Sequence, residues 1–320
     1  MKLLVKIYNH IKYRLKQLSS IAVLPSVFQL FLYIKKIKKS NGKIAIIILY
    51  EHIGDIIACE PVSRYLKSSY SSVIWIVNRK YKELPTMFRD VDIILPVGSI
   101  TEIIYLKALL HNYCVFNLHF DGRYCGKYNL VLHNQNKFYT AHNYFNYGSI
   151  LETFSEIAGL PRIMEQSLLS LEKEDRFPEI NYTFVAVQVE SNESCKTWDL
   201  EKWEQLIQMN PDLIFVEIGL KSHFSNLPNC NSSYCGKLSL SDIAYLMRKS
   251  MLFIGIDSSG AHYANALNIP SIALLGSYHE FSQYNPYAVT PPSFKILYRP
   301  NVNDISVDEV QRVVSNLIRN

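Results

Sequence analysis

The sequence predicts an α/β protein with two Rossmann-like domains that face a central cleft. Residues 43–50 (KIAIIILY) are a β-branched run, typical of a strand buried on both faces of a parallel sheet. Strand and helix patterns alternate from there to residue 158 and start again at residue 182. The length of 320 residues suits two such domains.

The first domain is predicted to span residues 41–160. Its predicted strands are 43–50, 73–77, 92–96, 113–118 and 129–132, and its predicted helices are 55–69, 80–88, 100–110 and 148–158. Because βαβ units build parallel sheets, all of these strands are expected in one parallel sheet.

Residues 161–181 are predicted to be a linker, because they contain two prolines and the charged run EKEDR. The second domain is predicted over 182–290, with strands 182–189, 213–218, 251–256 and 271–275 and helices 199–209, 241–249 and 261–268. Residues 291–320 are predicted to add a strand and a helix at 306–318, where Ser306 and Glu309 have capping-box spacing. Ligands of such sheets bind beyond the carboxyl ends of the strands.

The charge distribution singles out residues 1–40 as a basic N-terminal arm. They hold nine of the 33 Lys and Arg residues and no acid, whereas the other 280 residues carry 24 basic and 28 acidic side chains. Apolar residues at helical spacing predict an amphipathic helix before Pro25, namely Leu4, Ile7, Ile11, Leu15 and Leu18. We expect the arm to lie on an anionic membrane surface; the alternative is a helix packed on the body with solvated lysines. No segment is expected to span a membrane, since the best candidate, 17–34, contains Pro25 and several polar residues.

Composition and motifs exclude several classes of protein. A hydrophobic content of 48% with 19% charged residues excludes wholesale disorder. Only 12 glycines occur, and neither a dinucleotide-binding nor a P-loop glycine motif is found. The six cysteines form no C-x-x-C pair, which favours reduced thiols in a cytosolic protein. The histidines lack metal-ligand spacing and Asp90-Val91-Asp92 lacks a nucleotide-binding context, so neither a metal site nor a cofactor is predicted, and nucleic acid is not an expected partner.

The first candidate site follows the first strand. Gly54 allows a tight turn, and Asp55 begins the next helix, where it is either a functional carboxylate or an ordinary cap of the helix amides. Glu51 and His52 lie on the same loop and could orient Asp55 or a substrate.

The second candidate site is the stretch GIDSSGAH, between a buried strand and a helix. Its small and hydroxyl residues leave helix N–H groups available, which favours an anion such as a diphosphate over a plain strand-to-helix turn. The candidate residues are Asp257, Ser258, Ser259, Gly260 and His262. A third candidate is Lys196, in the loop 191–198, which is either a phosphate contact or a solvated lysine.

Together these stretches resemble glycosyltransferase family 9, the heptosyltransferase-like enzymes that build lipopolysaccharide cores. The resemblance is carried by IAIIILYEHIGDIIACEP (44–61), by VAVQVESNESCKTWDLEKW (185–203) and, most specifically, by GIDSSGAHYANALNIPSIALLG (255–276). It extends over roughly residues 43–287, although the last motif has D-S-S-G where the family commonly has D-[ST]-G. It also leaves the basic arm outside the family core.

The resemblance implies the GT-B fold and metal-independent, inverting transfer of a sugar, with heptose as one candidate. By residue, it implies Asp55 as general base, Lys196 as a diphosphate contact, and Asp257, Ser258, Ser259, Gly260 and His262 as the donor cradle. Glu217 is a candidate ribose contact near a strand end, and the loop 117–123 with His119 and Arg123 occupies the place of an acceptor loop.

The implied partners are a nucleoside-diphosphate sugar, with ADP-heptose as a candidate, and a lipid-linked surface glycan of the lipopolysaccharide type. The implied location is the cytoplasmic face of the inner membrane. Two alternatives remain: a nucleotide-sugar epimerase on the same fold, and a non-catalytic nucleotide- or glycan-binding module.

Overall fold

A computed structural model of the chain describes residues 2–191, 193–279, 281 and 284–319. Met1 and Asn320, the outer limits of the predicted arm and of the predicted C-terminal segment, lie outside these ranges, as does Asn192 of the Lys196 loop.

Ten α-helices are found in the described ranges: α1 (Lys2–Ser19), α2 (Leu24–Asn41), α3 (Ile53–Ala58), α4 (Glu60–Lys67), α5 (Ile100–Leu109), α6 (Ile150–Ile157), α7 (Leu200–Gln208), α8 (Leu240–Arg248), α9 (Ser259–Ala266) and α10 (Val307–Arg319). The strands found there are β1 (Ile44–Ile48), β2 (Ser72–Asn78), β3 (Ile93–Val97), β4 (Cys114–Asn117), β5 (Arg123–Cys125), β6 (Leu130–Leu132), β7 (Val185–Gln188), β8 (Phe215–Glu217), β9 (Cys230–Asn231), β10 (Leu252–Ile256), β11 (Ser271–Leu275) and β12 (Phe294–Tyr298).

The chain divides into two compact units, and each unit is built from several stretches of sequence. The first unit comprises Met1–Glu51, Val62–Tyr144 and Thr153–Ile163; the second comprises His52–Pro61, Phe145–Glu152 and Met164–Asn320. The segment with Asp55 therefore belongs to the second unit, although it directly follows β1 of the first.

The first unit contains a four-stranded parallel sheet in the order β3-β2-β1-β4. All five residues of β1 are buried, as expected for a central strand covered on both faces. One side of the sheet packs on α5 and α2, with Val27, Ile34 and Ile37 of α2 in the same apolar cluster as Ile46 and Ile103. The second helix of the basic arm is thus part of the core of this unit.

Three predicted elements of this region differ from the structure. The predicted helix 55–69 is two helices, α3 and α4, because Pro61 lacks an N–H group and suits the first turn of a new helix. The predicted helix 80–88 is two short 3-10 turns, the second of which begins at Pro85. The predicted strand 129–132 forms an antiparallel hairpin with β5 outside the main sheet, since the connecting loop is too short for a parallel crossover.

The second unit contains a six-stranded parallel sheet in the order β12-β11-β10-β7-β8-β9. Residues of its strands belong to an apolar cluster in which Trp198 and Trp203 pack edge to face, with ring centroids 5.0 Å apart. The Nε1 atom of Trp198 donates to the carbonyl of Ile305, 2.9 Å away, and so ties the Lys196 loop to the C-terminal segment. At the start of α10 the Glu309 N–H donates to the Ser306 hydroxyl (3.2 Å), one of the two bonds of the predicted capping box.

The N-terminal arm is helical over nearly its whole length, because Pro25 occupies the first turn of α2, where its missing N–H has no cost. A 3-10 turn, Ser20–Val23, joins α1 to α2. By length and composition alone, the helical stretch Lys6–Asn41 could cross a membrane, which differs from the expectation that no segment could. Buried core helices and N-terminal signal segments also meet that criterion.

Candidate active site

Asp55 is the third residue of α3 and is partly buried. Burial raises the pKa of Asp55 to about 6, because the charged form loses solvation. Electrostatic interactions with His52 and Lys196 oppose this rise in the pKa of Asp55, and the negative charge of Asp257 adds to it. Asp55 is therefore mostly ionised at neutral pH, yet basic enough to accept a proton.

The turn before Asp55 has an unusual backbone. His52 precedes α3 with a φ of 72°, a conformation that residues other than glycine rarely adopt. The carbonyl of His52 accepts the N–H of Ile56 at 3.0 Å, and this bond forms the first turn of α3. The N–H of Cys59 donates to the carbonyl of Asp55 at the other end of the helix. The turn thus fixes the direction in which Asp55 leaves the backbone.

Lys196 lies at the end of a 3-10 turn, Ser194–Lys196, with its ammonium group surrounded by polar and aromatic groups. Its Nζ atom is 2.5 Å from Oδ2 of Asp257 and donates to the hydroxyl of Tyr284 at 2.9 Å. It also lies over the ring of Tyr278, 3.9 Å from the centroid. The hydroxyl of Tyr284 donates to Asp257, so the three side chains form a closed network.

The start of α9 holds the small residues of the late motif. Ser258 is the N-cap residue with extended backbone, and within the described residues its hydroxyl makes no capping bond. The N–H of Gly260 donates to Oε1 of Gln188 at 2.7 Å. A methyl group at Gly260 would lie 2.4 Å from that oxygen and 2.9 Å from Cζ of Phe253. Gly260 is therefore required for close packing, whereas Ser258 and Ser259 remain partly exposed at the helix terminus.

His262 is buried one turn further along α9, with its ring 5.0 Å from that of Tyr287. Burial lowers the pKa of His262 to about 4, despite the opposing charge of Asp257. The imidazole is therefore neutral at physiological pH, and it can offer a hydrogen bond but no positive charge.

Glu217, the candidate ribose contact, is fully buried at the end of β8. Its carboxylate accepts hydrogen bonds from the N–H and Nδ1 of His223, from the N–H of Phe224 and from the hydroxyl of Ser232. Contact with a donor ribose would require it to exchange one of these bonds, and its predicted role stays a prediction.

The candidate acceptor residues Glu51, His119 and Arg123 lie in the first unit. Arg123 forms an ion pair with Glu51. His119 is buried after β4, and its Nε2 atom accepts the N–H of Tyr50 at 2.9 Å. His119 therefore fixes the backbone between β1 and Glu51.

The structure brings Asp55, Lys196, Asp257 and His262 together in the second unit and leaves Glu217 in a separate network.

Sequence reasoning missed Gln188, Tyr278 and Tyr284. Gln188 carries a visible signal, as a polar residue ending a buried strand. The tyrosines lie in an aromatic-rich loop more than 80 residues from Lys196 along the chain, and no spacing pattern connects them. Within the described part of the chain, no group of three or more His, Cys, Asp or Glu side chains is placed to hold a metal ion.

The fold is that of GT-B glycosyltransferases. Among the solved structures that resemble most of the chain is a family 9 glycosyltransferase from Veillonella parvula, with a TM-score of 0.66 and 14% identity over 87% of this chain and 98% of that one. Another is the Escherichia coli ADP-heptose lipopolysaccharide heptosyltransferase II, with a TM-score of 0.63 and 15% identity over 87% of this chain and 98% of that one. A third is the dodecameric iron-containing heptosyltransferase TibC of E. coli in complex with ADP-D-β-D-heptose, with a TM-score of 0.59 and 16% identity over 87% of this chain and 76% of that one.

The family is indicated by the sequence of the second unit. Residues 218–298 match the model of glycosyltransferase family 9 (heptosyltransferase), which confirms the resemblance for the late motif, residues 255–276. The chain is thus heptosyltransferase-like in fold and in this segment. The segment includes the Asp257 to His262 motif but neither Asp55 nor Lys196. The roles of all these residues remain predictions. A search of curated protein sequences finds no significant match.

Proposed function

We propose that the chain is an inverting glycosyltransferase that transfers a sugar from a nucleoside-diphosphate donor to a lipid-linked surface glycan. One observation carries this proposal: a carboxylate with a pKa of about 6, Asp55, lies within electrostatic range of the cation Lys196 in the same unit. Such a pair suits a reaction in which one oxygen loses a proton while another gains negative charge.

In the proposed reaction, Asp55 accepts the proton of the acceptor hydroxyl as that oxygen bonds to the anomeric carbon of the donor sugar. The bond from the anomeric carbon to the diphosphate breaks at the same time, and the electron pair leaves with the diphosphate. Because attack and departure occur on opposite faces of the sugar, the anomeric configuration inverts. A pKa near 6 leaves Asp55 mostly charged at neutral pH and still able to take the proton.

The departing diphosphate needs positive charge and N–H donors. We assign the charge to Lys196 and the donors to the exposed start of α9 at Ser258 and Ser259. Asp257 would repel a phosphate, so we propose that it orients Lys196 and accepts a hydroxyl of the sugar. The neutral imidazole of His262 is suited to a hydrogen bond with the diphosphate or the sugar.

We propose that no metal ion or cofactor takes part, since Lys196 and the α9 terminus supply the electrostatic stabilisation. TibC is described as iron-containing, so this point needs its own measurement. Turnover with the correct donor and acceptor should be unchanged by EDTA, and restoration of activity by one added metal would contradict the proposal.

ADP-heptose is the first donor to test, because two of the structural neighbours carry that nucleotide sugar in their names. A lipopolysaccharide-type acceptor is proposed because heptosyltransferase II is named as a lipopolysaccharide enzyme. We also propose that the protein acts at the cytoplasmic face of the inner membrane, as the family resemblance of the motifs implies.

The decisive experiment is calorimetry against ADP-, GDP-, UDP- and CMP-sugars, followed by product analysis for every donor that binds. A transferase releases nucleoside diphosphate in the presence of acceptor, and Asp55→Asn abolishes that release without abolishing binding. Isomerised donor with no release would identify an epimerase. Binding without any turnover would identify a non-catalytic module, and either result would overturn the proposal.

A further inference from the structure

The N-terminal helical stretch carries an exposed apolar stripe on the side away from the core. We call it the outer stripe; its members follow one another at intervals of three or four residues, and each is between 40% and 60% exposed: Ile7, Ile11, Leu15, Leu18, Ile21, Leu24, Phe28 and Leu32. This spacing places them along one face of the helix over about 37 Å.

From Ser20 to Ile37 the opposite face is already occupied, whereas residues 6–19 of α1 are exposed on nearly all sides. Val27, Ile34 and Ile37 are buried in the core of the first unit, and the hydroxyl of Ser20 is 2.5 Å from that of Tyr105. The ring of Phe31 packs edge to face on Tyr113. The outer stripe is therefore a second apolar face, and packing within the unit does not account for it.

Charge identifies the partner of this face. Residues 1–40 contain no acid. Arg14 is exposed on the same face, between Ile11 and Leu18, and Lys35, Lys36 and Lys39 are exposed beyond the C-terminal end of the stripe. A second copy of the stripe would bring like charges together, whereas an anionic surface would neutralise them. An apolar face bordered by cations is the pattern of helices that lie in the interface of an anionic bilayer.

We propose that the outer stripe docks the protein on an anionic lipid bilayer, with the helices lying in the plane of the membrane. The apolar side chains enter the boundary between head groups and acyl chains, and the cations contact lipid phosphates. An in-plane arrangement leaves Val27, Ile34 and Ile37 in the protein core; a membrane-spanning arrangement would remove them from it. This inference does not depend on the proposed sugar transfer.

Vesicle co-sedimentation tests the surface with side-chain changes that spare the core. The quadruple substitution Leu15→Gln, Leu18→Gln, Phe28→Gln and Leu32→Gln should lower partitioning onto phosphatidylcholine–phosphatidylglycerol vesicles about tenfold or more. The control Leu200→Gln with Leu220→Gln removes leucines that are 45% and 82% exposed on the second unit and should leave partitioning unchanged.

The cations are tested by the triple substitution Lys35→Gln, Lys36→Gln and Lys39→Gln. Binding to vesicles with phosphatidylglycerol should fall roughly fivefold per lysine, and binding to pure phosphatidylcholine should hardly change. Nucleotide binding is measured in every variant, so that a loss of vesicle binding is separated from unfolding and from failure of the proposed enzymatic role.

Depth measurements distinguish in-plane docking from spanning. Leu15→Trp and Phe28→Trp place single reporters on the stripe, while the native Trp75, Trp198 and Trp203 are fully buried and give a constant background. Brominated lipids should quench both reporters at the same shallow depth. Depths that differ by about 20 Å, the rise between the two sites along a helix, would indicate spanning and overturn the proposal.

Two further outcomes would also overturn it. One is equal vesicle binding by the wild type and the quadruple variant. The other is no vesicle binding, together with a dimer in sedimentation equilibrium that the quadruple variant abolishes; the stripe would then be an interface between copies of the chain.

Discussion

The absence of a side chain at Gly54 gives the imidazole of His262 its place: a methyl group there would lie 2.7 Å from Cδ2 and 3.0 Å from Nε2 of His262. These two residues bring α3, which carries Asp55, against α9, which begins at the proposed diphosphate site. The glycine of the early motif and the histidine of the late motif thus pack directly against each other.

Gly54→Ala should therefore impair activity more than stability. The added methyl group must displace either the His262 ring or α3, and a small shift of Asp55 is costly for proton transfer, so we expect turnover to fall about a hundredfold. Gly126→Ala is the control, because its methyl group would meet only Tyr124, at an ordinary 3.7 Å. Full turnover in Gly54→Ala would show that this packing does not set the position of Asp55.

Asp55→Asn should lower turnover by a factor of about 10²–10⁴, the usual contribution of a general base, with little change in donor affinity. In the wild type, turnover should fall as the pH drops through about 6, because protonated Asp55 cannot accept a proton. Rate measurements across pH on both proteins check this. A wild-type rate that stays flat between pH 7 and about 5 would argue against Asp55 as the base.

Asp55 and His262 should have opposite effects on stability in acid. The folded-state pKa of Asp55 is about 6, above its ordinary value of 3.8, so falling pH between these values stabilises the fold. The folded-state pKa of His262 is about 4, below its ordinary value of 6.5, so falling pH between these values destabilises the fold. The two slopes partly cancel in the wild type.

Urea unfolding at several pH values will separate these two slopes. Asp55→Asn should raise the free energy of unfolding at pH 7 by roughly 1–3 kcal/mol and should lose stability more steeply than the wild type towards pH 4. His262→Gln should lose less unfolding free energy than the wild type as the pH falls towards 4, or should gain it. Identical pH dependence in all three proteins would show that neither group is perturbed as described.

Lys196→Gln should weaken binding of a nucleoside diphosphate about 10- to 100-fold, the usual effect of losing a charged hydrogen bond. It also leaves Asp257 without its cation, so part of the loss reflects repulsion. Lys237→Gln makes the same charge change at an exposed site of the same unit and should have little effect. Equal affinities for Lys196→Gln and Lys237→Gln in calorimetry would remove Lys196 from the proposed site.

Glu217→Gln tests whether the buried acid supports the fold or the donor. The carboxylate accepts bonds from His223, Phe224 and Ser232, so we expect a loss of about 2–4 kcal/mol in unfolding free energy. The partly exposed Glu190, which accepts the N–H groups of Leu220 and Lys221, should lose less when changed to Gln. A large loss of donor affinity with unchanged stability would instead favour the ribose role.

Much of the fold could be predicted from sequence because buried parallel strands have continuous apolar runs, as in β1 and β10. The approach of Asp55 to Lys196 could be anticipated only through the family resemblance, since 141 positions separate them. The roles of Gly260 and Tyr284 could not be predicted. Gly260 is needed because Gln188 and Phe253 approach its backbone, and such contacts depend on packing between distant segments.

The division of the chain into units has a consequence for how the protein can be taken apart. The sequence passes from one unit to the other five times, so no single cut separates them. A fragment that begins at Met164 would keep Lys196 and His262 but lose Asp55. Asp55 lies in His52–Pro61, a ten-residue stretch of the second unit that stands in the sequence between two stretches of the first. A fragment that is to contain both the proposed base and the proposed anion site must therefore include His52–Pro61 as well as the stretch that begins at Met164.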